Sequence, residues 1–462
     1  MDCLIRFSQS HETFRLPEIQ ALAVIEGINM KVISYSLESP FCVVNVPSED
    51  AAKRLIRRSI LVQSIHSLWG LGETLDAVHA AVHERTPHLW VKYLTCSFKF
   101  TVDSYQGTRA SDAKVRIINS FAYLGFAGPI KMRNPDEEFT LFEDWPWNST
   151  PDGIPNPKFY YFGRYLATGA RDLPQKLDLK KRRYISTTSM DAELALITAN
   201  ISLAAPGKLM YDPFVGTGSF PIACAQFGAM TFGSDIDGRS IRGDGAKKTL
   251  RGNFEQYGLL SGMGGVFSAD LTNSPIRRLP LGVDSDGVKG RIFDGIVCDP
   301  PYGVREGLLV LGVRDPEKTP WIIPKGIEMY KQPDFIPPRK PYSFLAMLDD
   351  ILQFSAQTIV DNGRLSFWMP TANDEEQEIP VPTHPYLEVA AVCTQVFTKW
   401  SRRLITYRRI PDAEVDQKAM QAREADTTLV GKTADELNPF RRAYFNKFET
   451  ATTTTTTTTP SP

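Results

Sequence analysis

The pattern of apolar and polar positions changes along the chain, and the change predicts two kinds of domain. Over residues 1–165, short apolar runs such as 41–46 alternate with helix-like stretches such as 48–65. Alternating positions over 90–93 and 97–102 predict paired strands. This half is therefore expected to be a mixed α+β region.

From about residue 184 the pattern becomes a regular alternation of helices and strands, which predicts a parallel, doubly wound sheet of the Rossmann type. Two final strands, 386–397 and 403–410, are expected to form a hairpin through Lys399-Trp400-Ser401 and to add an antiparallel edge. The other predicted helices cover 191–204 and 219–227, and the other strands cover 208–211, 230–234, 293–298 and 365–370, with a further one ending near Asp270.

Changes in composition mark the expected boundaries. Residues 144–157 are dense in Pro, Gly, Asn and Asp and indicate a linker or an extended loop between domains. The chain closes on a run of Thr, whose low complexity predicts disorder. We expect an α+β region over 1–165, an α/β domain over 166–412, and a charged and then Thr-rich tail over 413–462.

Composition restricts the class of protein. A hydrophobic fraction of 42% and a charged fraction of 23% are typical of a globular protein. No apolar run approaches the roughly 20 residues that a membrane helix needs, and the start lacks the apolar core of a signal peptide. The six scattered cysteines form no Cys-x-x-Cys pair, and His79 and His83 have no ligand partners at metal-binding spacing. We therefore expect a cytoplasmic protein with no metal site of its own.

The charge balance, 52 basic against 53 acidic residues, neither supports nor excludes a nucleic-acid ligand. Binding to phosphates needs local basic surface rather than overall positive charge. Three basic segments are candidates for such a surface, although each is more often a solvated face: Lys53-Arg54 with Arg57-Arg58, Lys180-Lys181-Arg182-Arg183, and Arg402-Arg403 with Arg408-Arg409.

A glycine-rich turn between a predicted strand and helix is the first candidate binding site. Gly216 and Gly218 permit a tight turn that a ligand can approach closely. The turn opens with Asp212, which suits a cationic ligand, and the third glycine of dinucleotide enzymes is replaced by Phe220 or Pro221. A plain strand–helix turn remains the alternative for this motif alone.

Acids also follow the next two strands. Asp235 comes first after its strand and is the candidate acceptor for ribose hydroxyls, whereas Asp237 is a candidate helix cap. Asp270 follows the third strand and is either an acceptor for an adenine amino group or an ordinary cap.

The fourth strand ends in Asp299-Pro300-Pro301-Tyr302, which is the most specific motif in the chain. Two prolines fix the backbone and remove two N–H donors, so that carbonyl oxygens are presented. Asp299 and the Pro300 carbonyl can accept the two N–H bonds of a base amino group and turn its lone pair towards a methyl donor. Tyr302 offers a face on which an extruded base can stack. The motif predicts methylation of an exocyclic amine.

Taken together, these motifs resemble those of the eukaryotic tRNA guanine-10 N2-methyltransferase family, class I enzymes that use S-adenosylmethionine. The match runs from the N-terminus to about residue 410. It is carried by the segment Arg183-Tyr184-Ile185-Ser186-Thr187-Thr188-Ser189-Met190-Asp191, by Tyr211-Asp212-Pro213-Phe214-Val215-Gly216-Thr217-Gly218-Ser219, and by Asp299-Pro300-Pro301-Tyr302-Gly303-Val304-Arg305.

The resemblance implies roles for matching positions and for partners. It implies an N-terminal THUMP-type module that binds tRNA, and a small zinc-binding activator subunit that forms a heterodimer with the catalytic chain. The insert between Gly303 and Lys340, which carries Arg305, is a candidate for the base pocket or for contact with RNA. The implied cofactor-binding residues are Thr187, Thr188, Ser189, Met190, Asp212, Phe214, Gly216, Gly218, Asp235 and Asp270, and the implied catalytic residues are Asp299, Pro300 and Tyr302.

Two other functions remain open at the level of the motifs. An adenine or cytosine amino-methyltransferase acting on DNA or RNA also uses an acid at the first position of this motif. A catalytically silent RNA-binding scaffold is the third alternative, and the intact acids, glycines and tyrosine weigh against it.

Overall fold

The computed structural model divides into two compact units, Met1–Leu173 and Pro174–Pro462. The structure describes residues 1–150, 152–245, 247–281, 290–303, 308–313, 328–332, 335, 337–372, 380–398, 400–416 and 418–420. Two features discussed from the sequence lie outside these residues. They are Arg305, a candidate for the base pocket or for contact with RNA, and the Thr-rich tail, which is predicted to be disordered.

The first unit is built on a seven-stranded mixed sheet with strand order β2-β3-β1-β4-β7-β6-β5. Its strand pairs are antiparallel apart from the parallel pair of β5 and β6. The predicted α+β class is confirmed. The elements are β1 (Asp2–Phe7), α1 (Glu12–Glu26), β2 (Lys31–Tyr35), β3 (Phe41–Asn45), α2 (Glu49–Ile56), β4 (Val62–Gly72), α3 (Leu75–Arg85), α4 (Pro87–Trp90), β5 (Phe98–Tyr105), α5 (Ser111–Ser120), β6 (Glu137–Asp144) and β7 (Phe159–Thr168).

Two predictions for this unit were wrong. The helix expected over 48–65 ends at Ile56, and β4 begins at Val62 because its β-branched side chains pair with the neighbouring strand β1. Residues 90–93 belong to α4 and a following 3-10 turn rather than to a strand. The partner of β5 is instead β6, about 40 residues further along the chain.

The linker predicted over 144–157 is also wrong, because this segment connects β6 to β7 inside the first unit. Trp145 is 4% exposed, and its indole N–H donates to the Glu143 carboxylate at 3.1 Å. The guanidinium of Arg109 lies 5.0 Å from the ring centroid and also pairs with Glu143. The segment does have the composition of a turn, but the buried side chain of Trp145 anchors it within the first unit.

The second unit contains another seven-stranded sheet, with order β10-β9-β8-β11-β14-β16-β15. Strands β10 to β14 in this order run parallel, and β16 is antiparallel to both of its neighbours. The elements are α6 (Leu173–Lys176), α7 (Ala192–Ile201), β8 (Leu209–Asp212), α8 (Ser219–Gln226), β9 (Met230–Asp235), α9 (Gly238–Arg242), α10 (Leu250–Tyr257), β10 (Met263–Ser268), β11 (Phe293–Cys298), β12 (Leu309–Leu311), β13 (Arg339–Pro341), α11 (Phe344–Thr358), β14 (Ile359–Ala372), β15 (Leu387–Val396) and β16 (Trp400–Arg409).

This arrangement confirms the predicted doubly wound sheet and its antiparallel edge hairpin. Helix α11 packs its apolar face on β11, β14 and β16. Ile351 of the helix, Ile296 of β11 and Ile405 of β16 are each at most 1% exposed in this core. Each such side chain contributes about 1.5–3 kcal/mol through burial. The hairpin turn is shorter than expected, because β16 already begins at Trp400. No helix within the described ranges is long and apolar enough to cross a membrane.

Replacement of the two tryptophans of the 144–157 segment tests its place in the first unit. We expect Trp145→Ala to lower the free energy of unfolding by about 3–5 kcal/mol, because it empties a buried site. Trp147 is 78% exposed, so Trp147→Ala should change it by less than about 0.5 kcal/mol. Urea denaturation of the full chain measures both, and equal effects of the two variants would contradict this assignment.

Candidate active site

The direction in which strands are added to the parallel sheet reverses at β8. Strands β9 and β10 extend the sheet on one side of β8, and β11 and β14 extend it on the other. In open α/β sheets, ligands bind at such a reversal, outside the carboxyl ends of the strands. The motif acids of this chain follow the carboxyl ends of β8, β9, β10 and β11.

The glycine turn after β8 has the geometry that its sequence predicts. Gly216 and Gly218 have φ of +48° and +86°, in the left-handed region that favours glycine. A Cβ built on Gly218 would press on the Leu250 side chain at 3.2 Å. At Gly216, by contrast, the nearest atom to such a Cβ would be the Phe214 carbonyl oxygen at 4.0 Å, among the described residues. Gly216 therefore faces open space that a ligand can enter.

Asp235 ties the glycine turn to the end of β9. Its carboxylate accepts the Gly216 N–H at 2.9 Å and the Asp237 N–H at 2.8 Å. Asp237 itself caps α9 by accepting the Arg239 N–H, as the sequence predicted. Asp235 therefore joins the glycine turn to the residues that follow β9.

Asp270 serves as the cap that the sequence offered as one alternative, because its side chain accepts the Thr272 N–H at 2.9 Å. Its other carboxylate oxygen accepts the N–H of Leu311 at 2.7 Å. Leu311 belongs to the separate two-stranded sheet of β12 and β13. Arg339 of β13 also anchors this sheet by donating to the Ile236 carbonyl at 2.9 Å. The two-stranded sheet thus contacts the ends of both β9 and β10.

The segment before α7 is held against the glycine turn. The hydroxyl groups of Ser189 and Thr217 lie 2.8 Å apart. Thr187 and Thr188 are exposed, whereas Met190 is 3% exposed. These four candidate positions, 187–190, therefore lie in a stretch that runs from solvent into the protein beside the turn.

Asn253 is a residue of this site that sequence reasoning missed. Its fully buried side chain donates to the carbonyls of Tyr184, at 2.8 Å, and Thr217, at 3.1 Å, and accepts the Tyr184 N–H. It therefore joins the segment before α7 to the glycine turn. An asparagine within a helix carries no local signal of such a role, because its partners are distant in sequence.

Asp212 is 2% exposed at the end of β8, and its carboxylate accepts the Phe214 N–H at 2.9 Å. Burial raises the pKa of Asp212 well above its ordinary value, and the nearby carboxylates of Asp235 and Asp299 raise it further. Negative charge is therefore unfavourable at this position in the ligand-free chain. A cationic ligand group would relieve that repulsion.

Asp299 and Tyr302 contact each other directly, since the Tyr302 hydroxyl donates to the Asp299 carboxylate. Both side chains are half-buried, and Pro300 between them is buried. The ring of Trp400 meets that of Tyr302 edge-on, with 6.5 Å between centroids. Burial and then Asp299 raise the pKa of Tyr302 well above its ordinary value, so Tyr302 is the proton donor in this pair.

The basic segments proposed as RNA contacts are in part structural. Arg182, Arg403 and Arg409 are at most 6% exposed. Arg182 donates to the Ser219 hydroxyl at 3.0 Å, and Arg409 forms ion pairs with Asp361 and Asp412. These three arginines support the fold rather than bind RNA.

The two histidines considered as metal ligands also have structural partners. The ring nitrogens of His79 lie 2.9 Å from the Tyr123 hydroxyl and 3.0 Å from the Ser120 hydroxyl. His83 stacks on Tyr123 with 4.2 Å between ring centroids. Over the described ranges, no group of three or more His, Cys, Asp or Glu side chains could hold a metal ion.

The raised pKa of Asp212 generates a prediction about stability and pH. The unfolded chain ionises this carboxyl near its ordinary value of 3.8, before the folded chain does, so stability falls as pH rises through that window. We expect Asp212→Asn to raise the thermal midpoint of the ligand-free chain at pH 7, with the difference vanishing below about pH 4.

Asp237→Asn is the control of opposite sign. A hydrogen bond from Arg239 is the main cause that lowers the pKa of Asp237 to about 2. Its stabilisation is present at neutral pH and is lost as pH falls through that value, so its replacement should lower the midpoint slightly at pH 7. Thermal melts from pH 3 to 8 measure both, and a destabilised Asp212→Asn variant at pH 7 would refute the assignment.

Comparisons with known proteins identify the family of the chain. Residues 1–171 match the family model described as the Tmrp11 THUMP N-terminal domain. The tRNA (guanine(10)-N(2))-methyltransferase of Saccharomyces cerevisiae is 41% identical over 413 residues, which are 87% of this chain and 92% of the yeast protein. The Homo sapiens relative of the same name, TRMT11, is 34% identical over 89% of each chain.

Among solved structures, TrmN from Thermus thermophilus aligns with 89% of this chain and 100% of its own length, at 13% identity and a TM-score of 0.40. Because the sequence relatives are named as tRNA methyltransferases, they argue against the alternative of an amino-methyltransferase acting on DNA. On the identity and coverage of those relatives, the chain belongs to the tRNA (guanine(10)-N(2))-methyltransferase family.

Proposed function

We propose that this chain transfers a methyl group from S-adenosylmethionine to the exocyclic N2 of guanine 10 in tRNA, with Asp299, Pro300 and Tyr302 at the reacting base. The observation that carries the proposal is the position of Asp299 at the end of β11, directly beside the strand that ends in Asp212. A ligand that binds at the reversal of the sheet therefore lies next to a group that can accept hydrogen bonds from a base.

The side chains at the strand ends fit S-adenosylmethionine. Its ammonium, ribose hydroxyl and adenine amino groups are all hydrogen-bond donors, and the side chains here are acceptors: Asp212, Asp235 and Asp270. Gly216 leaves open space beside them. Phe214 and the 187–190 segment border the same turn. When bound, this cofactor supplies a methyl group activated by a sulfonium.

The chain's own task is to prepare the amino group. The lone pair on guanine N2 is delocalised into the ring, which makes it a weak nucleophile. In this proposal Asp299 and the Pro300 carbonyl accept its two N–H bonds, which localises the lone pair and stabilises the positive charge that develops on nitrogen. Asp299 is also the acceptor available for the proton that the nitrogen then loses.

Tyr302 contributes a ring and a hydroxyl to the proposed site. The ring provides a stacking face for an extruded base, an interaction worth about 1–3 kcal/mol per base. The hydroxyl donates to one oxygen of Asp299 and so orients the carboxylate that we propose accepts from the base.

The N-terminal unit supports tRNA as the carrier of the base, through its match to a THUMP domain. We further propose, from the resemblance stated above, that a small zinc-binding subunit forms a heterodimer with this chain and that the pair acts in the cytoplasm. Affinity purification of the tagged chain followed by protein identification and zinc analysis tests the first point. Fluorescence microscopy of the tagged chain tests the second.

Methylation of a tRNA transcript tests the reaction and its catalytic acid together. Asp299→Ala should lower kcat by at least about a hundredfold, because it removes an acceptor used in the transition state, while tRNA binding stays nearly unchanged. Mass spectrometry of the product should place one methyl group on N2 of guanine 10.

The matched control is Asp244→Ala, which removes an exposed acid of the same unit and should leave the rate unchanged. Tyr302→Phe keeps the ring and should lose less activity than Tyr302→Ala. Unchanged activity in Asp299→Ala would rule out the mechanism. A methyl group on another atom, or none in tRNA even with the partner present, would rule out the substrate.

A further inference from the structure

Arg402 lies close to the proposed catalytic motif through the pairing of three strands. On β16 it pairs with Pro370 of β14. Strand β14 runs parallel to β11, and Phe367 is opposite Cys298, the residue before Asp299. The end of β16 that carries Arg402 is therefore at the same edge of the sheet as Asp299.

The guanidinium of Arg402 is held in one orientation by uncharged groups. Its Nε–H donates to the Gln395 side-chain carbonyl at 2.6 Å. Its central carbon lies 4.7 Å from the ring centroid of Trp368 and 5.7 Å from that of Phe397. An arginine loses about 2 kcal/mol of rotamer freedom when it is ordered. Within the described part of the chain, these contacts fix the group and bring no opposite charge to it, which is the arrangement of a recognition residue.

Arg402 also faces Tyr302. Trp400, two positions before Arg402 on the same face of β16, meets the Tyr302 ring, and the positive charge of Arg402 counters the effects of burial and of Asp299 on the pKa of the Tyr302 hydroxyl. Tyr302 in turn donates to Asp299. A carboxylate acceptor and a cationic donor therefore lie near the same tyrosine side chain.

This order of acceptor and donor matches one edge of guanine. The N2 amino group lies at one end of that edge and the O6 acceptor lies at the other. Adenine carries an amino donor at the position of O6, which would meet the guanidinium with like polarity. Arginine is the side chain that most often donates to guanine O6.

We propose that Arg402 donates a hydrogen bond to O6 of the target guanine and so selects guanine among purines, with Gln395 and Trp368 as the residues that position it. The proposal rests on the function proposed above, in which Asp299 accepts from N2. In this proposal Arg402 on the edge hairpin selects the base, whereas Asp299 at the end of β11 takes part in methyl transfer.

The test compares two bases at position 10 of an otherwise identical tRNA, guanine and 2-aminopurine, which keeps the N2 amino group and lacks O6. The wild-type chain, with its partner if required, should methylate the guanine tRNA with a kcat/KM about tenfold or more higher. In Arg402→Met the value for guanine should fall to that for 2-aminopurine, and the 2-aminopurine value should stay nearly unchanged. Arg408→Met, on the same strand, should keep the wild-type preference.

A purely structural role for Arg402 would lower both values equally, and that result would overturn the proposal. A wild-type chain that methylates both bases equally would overturn it as well. If Arg402→Met does not fold, the comparison is made with Gln395→Leu, which should reduce the preference for guanine by freeing the guanidinium; an unchanged preference would count against the proposal. Failure of the wild-type chain to methylate guanine tRNA would instead refute the proposed function itself.

Discussion

The parallel pairing of β8 with β11 is the constraint on which the candidate site depends. Gly295 and Ile296 of β11 lie opposite Met210 and Tyr211 of β8, so the two strands end together. One then delivers Asp212 and the glycine turn, and the other delivers Asp299. A slip of register would separate these acids, and the apolar side chains buried on both faces of the sheet oppose such a slip.

The site that results is electrostatically unfavourable in the absence of ligands. Burial is the main cost of charge at Asp212, and the nearby carboxylates of Asp235 and Asp299 add to that cost. Backbone N–H groups of Phe214, Gly216 and Asp237 offset part of this cost. A cofactor that carries a positive charge would offset more of this cost, because its charge would lie beside these acids.

The antiparallel hairpin supplies the other side of the site. Strand β16 returns along β14 and brings Trp400 and Arg402 to the edge that carries Tyr302. Its opposite end is fixed by Arg409, which is fully buried and paired with Asp361 and Asp412. The hairpin is thus anchored at one end, and the residue that we propose recognises guanine lies at the other.

The sequence by itself determined the class of both units, the order of strands and helices in the second unit, and the motif acids that follow its strands. These depend on local periodicity, turn chemistry and the identity of residues at strand ends, all of which are visible within a few positions. Helix α7, the turn at Gly216 and Gly218, and the edge hairpin were predicted for this reason. The catalytic roles of Asp299, Pro300 and Tyr302 stay predictions.

Only the tertiary structure decided which distant residues meet. It placed Trp145 inside the first unit, joined Asn253 to Tyr184 and Thr217, and brought Arg402 to Tyr302. The partners in these contacts are up to about a hundred residues apart, and the polar or aromatic side chains involved look locally like surface or loop residues. Their environment is set by strand pairing and helix packing across the whole unit, and a single sequence carries no periodic signal of either.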